Sequence, residues 1–280
     1  LNEQAFRFQQ YGAPQQEATR LSMSLSRYPV EDVQYAAYRM DGPDAERQQV
    51  YLDALTPDNM LRFYSAPDIE SDTVSPWFNP QWDEQVPEQP GQPLSGLALP
   101  GPNPFIASDL TLLEGQDERP SLLVETPSFT AWHMQDERFN TPTVEWRVSL
   151  QSPTASYSAH EAVLTRLLAS WLNDSLNESL YPAWLAGQSF SAYPHARGMT
   201  LSFSGWRDGQ TPLIEQALEQ LAHAEITDSA FERVRYQLQR EWRNAPQASL
   251  YGQASRTLGE ALLTPQWSTA ELLAASERFD

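Results

Sequence analysis

Residues 144–150 read Val144-Glu145-Trp146-Arg147-Val148-Ser149-Leu150, and shortly afterwards the chain reads Ala162-Val163-Leu164-Thr165-Arg166-Leu167-Leu168. The first run alternates with period two. Val144, Trp146, Val148 and Leu150 share one face and Glu145, Arg147 and Ser149 the other, which predicts a half-buried strand. Ser152-Pro153 breaks it. Val163, Leu164, Leu167, Leu168, Trp171, Leu172 and Leu176 then fall on one broad apolar face of a long helix. Gly187 is expected to stop that helix. A second alternation follows, with Met199, Leu201 and Phe203 on one face and Thr200, Ser202 and Ser204 on the other. Strand, long helix and strand predict a sheet with a helix packed on it.

Further helices are expected downstream. Thr211-Pro212 opens one with Leu213, Ile214, Ala217, Leu218 and Leu221 as its apolar positions. Thr227-Asp228 opens another, with Phe231, Val234 and Leu238 facing a core and an end near Asn244-Ala245-Pro246. Residues 250–263 and 269–275 make a third and a fourth. Upstream, residues 15–25 read as helix, and Pro29 is expected to begin another through Val33, Ala36, Ala37 and Met40 before Gly42-Pro43. Asp44 caps a helix with Val50, Tyr51, Ala54 and Leu55 on its apolar side. Residues 60–64 read as a short strand.

Between residues 66 and 128 proline becomes dense, and regular helix is disfavoured. This stretch reads as an extended connector. Trp77, Phe78, Trp82, Leu97, Leu99, Phe105 and Ile106 imply a strap packed along a surface. Residues 110–113 and 122–125 read as short strands.

The whole chain has 280 residues, with 37 acidic against 18 basic side chains and a net charge of −19. Such a length suggests about two domains. Nine Trp, eleven Tyr and eleven Phe argue against a disordered chain. The acidity argues against nucleic acid, whose phosphates need clustered cations. It is read as a solubility feature. There is no cysteine, which excludes disulfides, thiolate zinc sites and a cysteine nucleophile. No apolar run approaches the roughly 20 residues of a membrane span. Leu1-Asn2-Glu3-Gln4 is neither a signal peptide nor a start at Met, so an excised segment of a longer protein is expected.

Four histidines are present, His133, His160, His195 and His223. No pair has metal-ligand spacing. The closest approach to a zinc motif is His160-Glu161. A His-x-x-Glu-His helix would need Glu at 163 and His at 164, where this chain has Val163 and Leu164. There is no Gly-x-Ser-x-Gly elbow and no glycine-rich phosphate loop. Asp136-Glu137 is read as a pair of solvated loop charges rather than an acid/base pair. Among the aromatic residues Trp171 is assigned to the core. Trp184 and Tyr193 flank Gly187 and, with Trp132, are the candidates to line a cavity holding peptide side chains, against the alternative of simple packing.

Several separated stretches resemble the pitrilysin/insulin-degrading-enzyme branch of the M16 zinc metallopeptidases. They are Ala5-Phe6-Arg7-Phe8 with Pro14, Tyr28-Pro29-Val30-Glu31-Asp32-Val33, and Leu55-Thr56-Pro57-Asp58-Asn59. Leu99-Pro100-x-x-Asn103-x-Phe105-Ile106 resembles the family's interdomain signature, with Ala107 in place of its final Pro. Trp132-His133-Met134-Gln135-Asp136-Glu137-Arg138-Phe139, Asp174-Ser175-Leu176-Asn177-Glu178, Leu185-Ala186-Gly187 and Gly198-Met199 complete a collinear series.

The resemblance implies an α+β fold, the M16 peptidase-like (LuxS/MPP-like) αβ roll, an antiparallel sheet with packed helices. It implies that residues 1–65 end the second domain, 66–128 connect, and 129–280 form most of the third, non-catalytic domain. It further implies a parent zinc metalloendopeptidase acting on peptides and unfolded polypeptides. This segment would form part of its chamber wall beside the remaining M16 domains, with no specific zinc of its own. Bacterial members are often periplasmic, and the absence of cysteine is compatible with that. The alternatives are an inactive homologue acting as a subunit or binding protein, and a cofactor-maturation peptidase of the same family.

Overall fold

The computed structural model describes residues 1–39, 42, 44–68, 70–84 and 95–279. Met40, Pro43 and the prolines at 87, 90 and 93 lie outside the described residues. Two compact units are formed, one of Leu1, Glu3–Thr19 and Pro102–Asp280, the other of Asn2 and Arg20–Gly101.

Two helices open the chain, α1 (Asn2–Arg7) and α2 (Pro14–Ser24). Within the second unit, α3 (Ala45–Ala54) is capped by Asp44, whose carboxylate accepts from the Arg47 amide at 3.0 Å. Val50 and Tyr51 are nevertheless exposed. The helix expected from Pro29 is replaced by a run of tight turns ending in a 3₁₀ turn at Ala36–Tyr38. The amides of Asp32, Tyr35 and Tyr38 bond three residues back instead of four, and β-branched and aromatic residues give little support to a longer helix there. Residues 60–64 form no strand. No neighbouring strand among the described residues pairs with them, and an unpaired β-prone run gains nothing from its side-chain alternation. A short hairpin pairs β1 (Thr73–Val74) with β2 (Gln81–Trp82). At its tip Trp77 and Phe78 are 85% and 91% exposed. Leu97 and Leu99 are exposed too, so the expectation of a packed strap fails for this part of the connector.

In the first unit, β3 (Ser121–Glu125) and β4 (Thr130–His133) make a hairpin with a bulge between Leu122 and Val124. Residues 110–113 are irregular. The Asp109 carboxylate takes the Thr111 amide, and Arg207 takes the Thr111 carbonyl, which diverts that backbone from a ladder. Then come β5 (Thr143–Gln151), α4 (Ala159–Leu176), α5 (Tyr181–Leu185), β6 (Ser189–His195) and β7 (Gly198–Trp206). They are followed by α6 (Gln210–His223), α7 (Asp228–Asn244), α8 (Leu250–Leu262) and α9 (Thr269–Ser276).

The sheet runs β5-β7-β6, antiparallel throughout. Register places Trp146 opposite Phe203 opposite Phe190, and Val148 opposite Leu201 opposite Ala192. Facing residues share a side of the pleat, so these six lie on the apolar face, together with Leu150, Met199 and Pro194. The β6–β7 turn needs Gly198. Its φ is +149°, and a Cβ there would lie 1.9 Å from the Leu150 carbonyl oxygen.

On the apolar face, α4 covers β6 and β7 while α6 covers β7. The helices α7 and α9 pack on α4 as a further layer. That arrangement explains which side chains α4 buries. The helix is enclosed on two sides, so Ala162 and Ala169 join Val163, Leu167, Trp171, Leu172 and Leu176 in the core. Leu164, expected on the apolar face, is 43% exposed, and Leu168 is half-buried. Both lie on the flank left open between the two layers. The long helix also stops earlier than expected, at Leu176. The Asn177 amide bonds only three residues back, to the Asp174 carbonyl at 3.3 Å, so the helical ladder lapses there, and Pro182 then sits in the first turn of α5, where its missing N–H is harmless. Gly187, at φ +81°, ends α5 instead. The β5 strand forms one edge of the sheet, and its Trp146 and Leu150 are more exposed than their place on the apolar face predicts.

Candidate functional site

The connector's signature residues are its anchors. Asn103 donates through Nδ2 to the Pro182 carbonyl at 2.7 Å and accepts the Phe105 amide at 3.0 Å. Phe105 is buried in the core. Behind it lies a polar network. The Gln188 amide, itself buried, donates to the carbonyls of Trp206 (3.1 Å) and Phe105 (3.5 Å) and accepts from Gln210 at 2.5 Å. Gln4 of α1 donates to the Ala107 carbonyl at 2.6 Å. The position where Ala107 stands in for the signature Pro is therefore buried and bonded. Gly209 permits this approach, since a Cβ there would fall 2.6 Å from the Phe105 carbonyl oxygen.

One residue before Gly209, Asp208 accepts from the Ser108 amide and hydroxyl and the Asp109 amide at 2.7–3.0 Å. These donors hold its carboxyl below the usual range. Asp109 is lowered to about 2, first by hydrogen bonding to Thr111 and then by Arg207, which lies 2.8 Å away.

Beside this anchor, α4, α5 and β6 enclose a cleft of about 440 Å³, whose lining includes Asn173, Leu180, Tyr181, Trp184, Phe190 and Leu213. Tyr181 and Trp184 stack with ring centroids 5.8 Å apart. Trp184 is 66% exposed, so it offers an open aromatic surface. Of the three residues singled out from sequence, Trp184 alone lines this cleft. Tyr193 points from the opposite, polar face of the sheet, where Arg147 Nη1 reaches its hydroxyl (3.4 Å) and Ser202 Oγ (3.3 Å) and Arg147 Nη2 reaches Glu145 at 3.1 Å. The Tyr193 hydroxyl first, then the Glu145 carboxylate, favours the charged form of Arg147. Trp132 stands exposed on β4, across from Leu122. The fold does not gather the three into one site.

The histidines are dispersed as well. His133 Nδ1 lies 4.0 Å from Asp117, His195 Nε2 is 3.2 Å from the Ser149 hydroxyl, and the His160 ring stacks on Phe279 at 4.5 Å. Glu161 bonds the Ser158 hydroxyl at the start of α4. Among the described residues no group of three or more His, Asp or Glu is placed to hold a metal ion. No described helix is long and apolar enough to cross a membrane. Sequence reading missed Asn173, Gln188 and Gln210, because an isolated amide carries no periodic signal; only their positions beside apolar core residues set them apart.

The family model described as the middle or third domain of peptidase M16 matches residues 6–275. Insulin-degrading enzyme of Homo sapiens is 28% identical over 284 residues, covering 97% of this chain and 28% of that protein. The A-factor-processing enzyme of Saccharomyces cerevisiae is 24% identical over 295 residues, covering 100% of this chain and 28% of that protein. The crystal structure of pitrilysin superposes with a TM-score of 0.73 at 20% identity, over 99% of this chain and 31% of that one. The α+β fold is thus shared with an M16 structure. The chain spans less than a third of the length of the curated relatives it matches.

Proposed function

This chain belongs to the peptidase M16 family, as its middle or third domain, and from that premise we propose that it is a non-catalytic segment of a larger zinc metalloendopeptidase that degrades peptides. Residues 1–65 end the second domain of that parent, 66–128 connect, and 129–280 supply the third. The docking of 103–109 beside α5 and α6 supports a connector that is seated before the third domain begins. The segment forms part of the wall of the substrate chamber, and Trp184 is the side chain placed to meet a peptide, with Tyr193 and Trp132 on separate surfaces. Zinc, its ligands and the general base belong to other domains of the parent.

The observation that carries this reading is α4. Among the described residues it is the one helix with His and Glu at its start, yet it places the buried Val163 and the apolar Leu164 where an inverted zinc motif needs Glu and His. A catalytic zinc needs about three protein ligands and an open position for water. Calorimetric titration of the chain with zinc, beside a quenched fluorescent peptide assay, tests it. The expected outcome is no stoichiometric binding tighter than roughly micromolar and no turnover. Chelator-sensitive hydrolysis by this chain would overturn the reading.

A further inference from the structure

A second cleft, of about 610 Å³, opens between α4, α7, α8 and the start of α9. Its volume lies within the roughly 300–1,000 Å³ usual for small-ligand sites. Three arginines converge on it, Arg166 from α4, Arg240 from α7 and Arg256 from α8. All 18 cationic residues of the chain are arginines, against 37 carboxylates. Among the described residues of the same unit Arg7, Arg119, Arg197 and Arg278 stand on the surface of the fold without an ion pair, whereas Arg138, Arg147, Arg207, Arg233, Arg235 and Arg243 each pair with a carboxylate.

The three cleft arginines do not. Among the described residues none has a carboxylate within ion-pair distance. Arg166 is half-buried and bonds only the Ala162 carbonyl one turn back, at 2.9 Å. Arg256 bonds only the Ala245 carbonyl, at 3.0 Å. Burial already works against the charge of Arg166. A guanidinium presents five donors in a planar fork matched to an oxyanion, and most of these donors are uncommitted here.

The rest of the lining restricts the anion. Glu241 and Glu260 also face the cleft, leaving a local charge of about one positive unit. This favours a singly charged carboxylate over a multiply charged phosphate, which the two glutamates would repel. Both glutamates are acceptors suited to an amide N–H. The apolar side is built by Trp242, Leu272 and the ring of Trp267, whose Nε1 is already used by the Ser156 carbonyl at 3.1 Å. An anion receptor, amide acceptors and an apolar wall in one cleft describe the last residue of a peptide. We propose that this cleft binds the C-terminal residue of a peptide, with the arginines on its carboxylate and the tryptophans on an apolar side chain. The inference extends the peptide-substrate reading above to a named group of the substrate. Its test reads binding rather than hydrolysis, so either can fail alone.

The test is calorimetry or chemical-shift titration of the whole chain with N-acetyl-leucine, N-acetyl-leucinamide and inorganic phosphate. The acid should bind in the roughly millimolar range and the amide at least about tenfold more weakly. Phosphate should bind more weakly than the acid. Arg166→Gln and Arg256→Gln should each weaken the acid about tenfold. Should the half-buried Arg166→Gln impair folding, the exposed Arg240→Gln gives the same readout without touching the core, with a severalfold loss expected. Equal affinity for acid and amide, tighter binding of phosphate, no binding of the acid at about 20 mM, or unchanged affinity in folded arginine variants would overturn the proposal.

Discussion

Asn173 on α4 clamps the outer edge of β6 at Ala192. Its Nδ2 donates to the Ala192 carbonyl at 2.7 Å, and the Ala192 amide donates back to Asn173 Oδ1 at 2.8 Å. A side-chain amide thus takes the place of a neighbouring strand. Two residues on, Pro194 has no N–H to offer, and β6 is closed to further pairing over this stretch.

Replacing Asn173 by Leu removes both bonds and leaves two backbone groups unpaired beside the core. The expected loss is about 1–3 kcal/mol, read from urea midpoints. Light scattering should also show self-association through the uncovered edge. A variant that is as stable as the parent and monodisperse would show that the clamp is incidental.

Leu172 and Leu164 test the layered packing. Leu172 is fully enclosed, whereas Leu164 is 43% exposed. Leu172→Ala should lose about 2–5 kcal/mol and Leu164→Ala less than about 1 kcal/mol, with Leu168→Ala between them. Comparable losses at positions 164 and 172 would contradict the enclosure of α4 between the sheet and α7–α9.

Gln188→Leu preserves bulk but strips partners from the carbonyls of Phe105 and Trp206 and from the Gln210 amide. We expect about 1–3 kcal/mol of destabilisation together with faster thermolysin cleavage before Phe105 or Ile106. Destabilisation with unchanged cleavage there would separate the network from the seating of the connector.

Acid should release the same segment. Asp109 is lowered from 3.8 to about 2 and Asp208 is lowered as well. A carboxyl depressed in the folded state contributes stability above its unfolded value, and that contribution fades as pH falls through the folded one. Hydrogen-exchange protection of the Ser108 and Asp109 amides should therefore be flat above about pH 4 and decline toward about pH 2. Loss of protection on raising the pH from 4 to 7 would reverse the assigned sign.

Much of this architecture is legible in the sequence where a feature is periodic or local. The alternation around Leu201 and Phe203 marked β7. Thr227 caps α7 through the Ala230 amide, as Thr227-Asp228 signalled. The motif around Asn103 and Phe105 pointed to the residues that seat the connector. Leu164 misled because a helical wheel reports apolarity, not how many layers flank a helix. The strand β6 was hidden because Ser189, Ser191, Ala192 and Pro194 alternate too weakly. The exposed Trp77 and Phe78 misled because apolar composition calls for cover without saying where it comes from. Among the site residues, Trp184 was legible as an aromatic side chain at a helix end. The cleft arginines were not, since they come from three helices spread over 90 residues (256 − 166) and carry no motif.

The anchoring of the connector has a consequence in time. Its bonds reach 103 residues from Gln4 to Ala107, 79 from Asn103 to Pro182 and 100 from Ser108 to Asp208. Contacts of such separation form late, after the intervening chain has paid its closure entropy. At a synthesis rate of about 5–20 residues per second, residues 103–109 leave the ribosome roughly 4–20 s before the carbonyl and carboxylate that receive them. Throughout that interval Phe105 has no core to enter, so the growing chain carries its own docking segment as exposed apolar cargo until β7 and the start of α6 emerge.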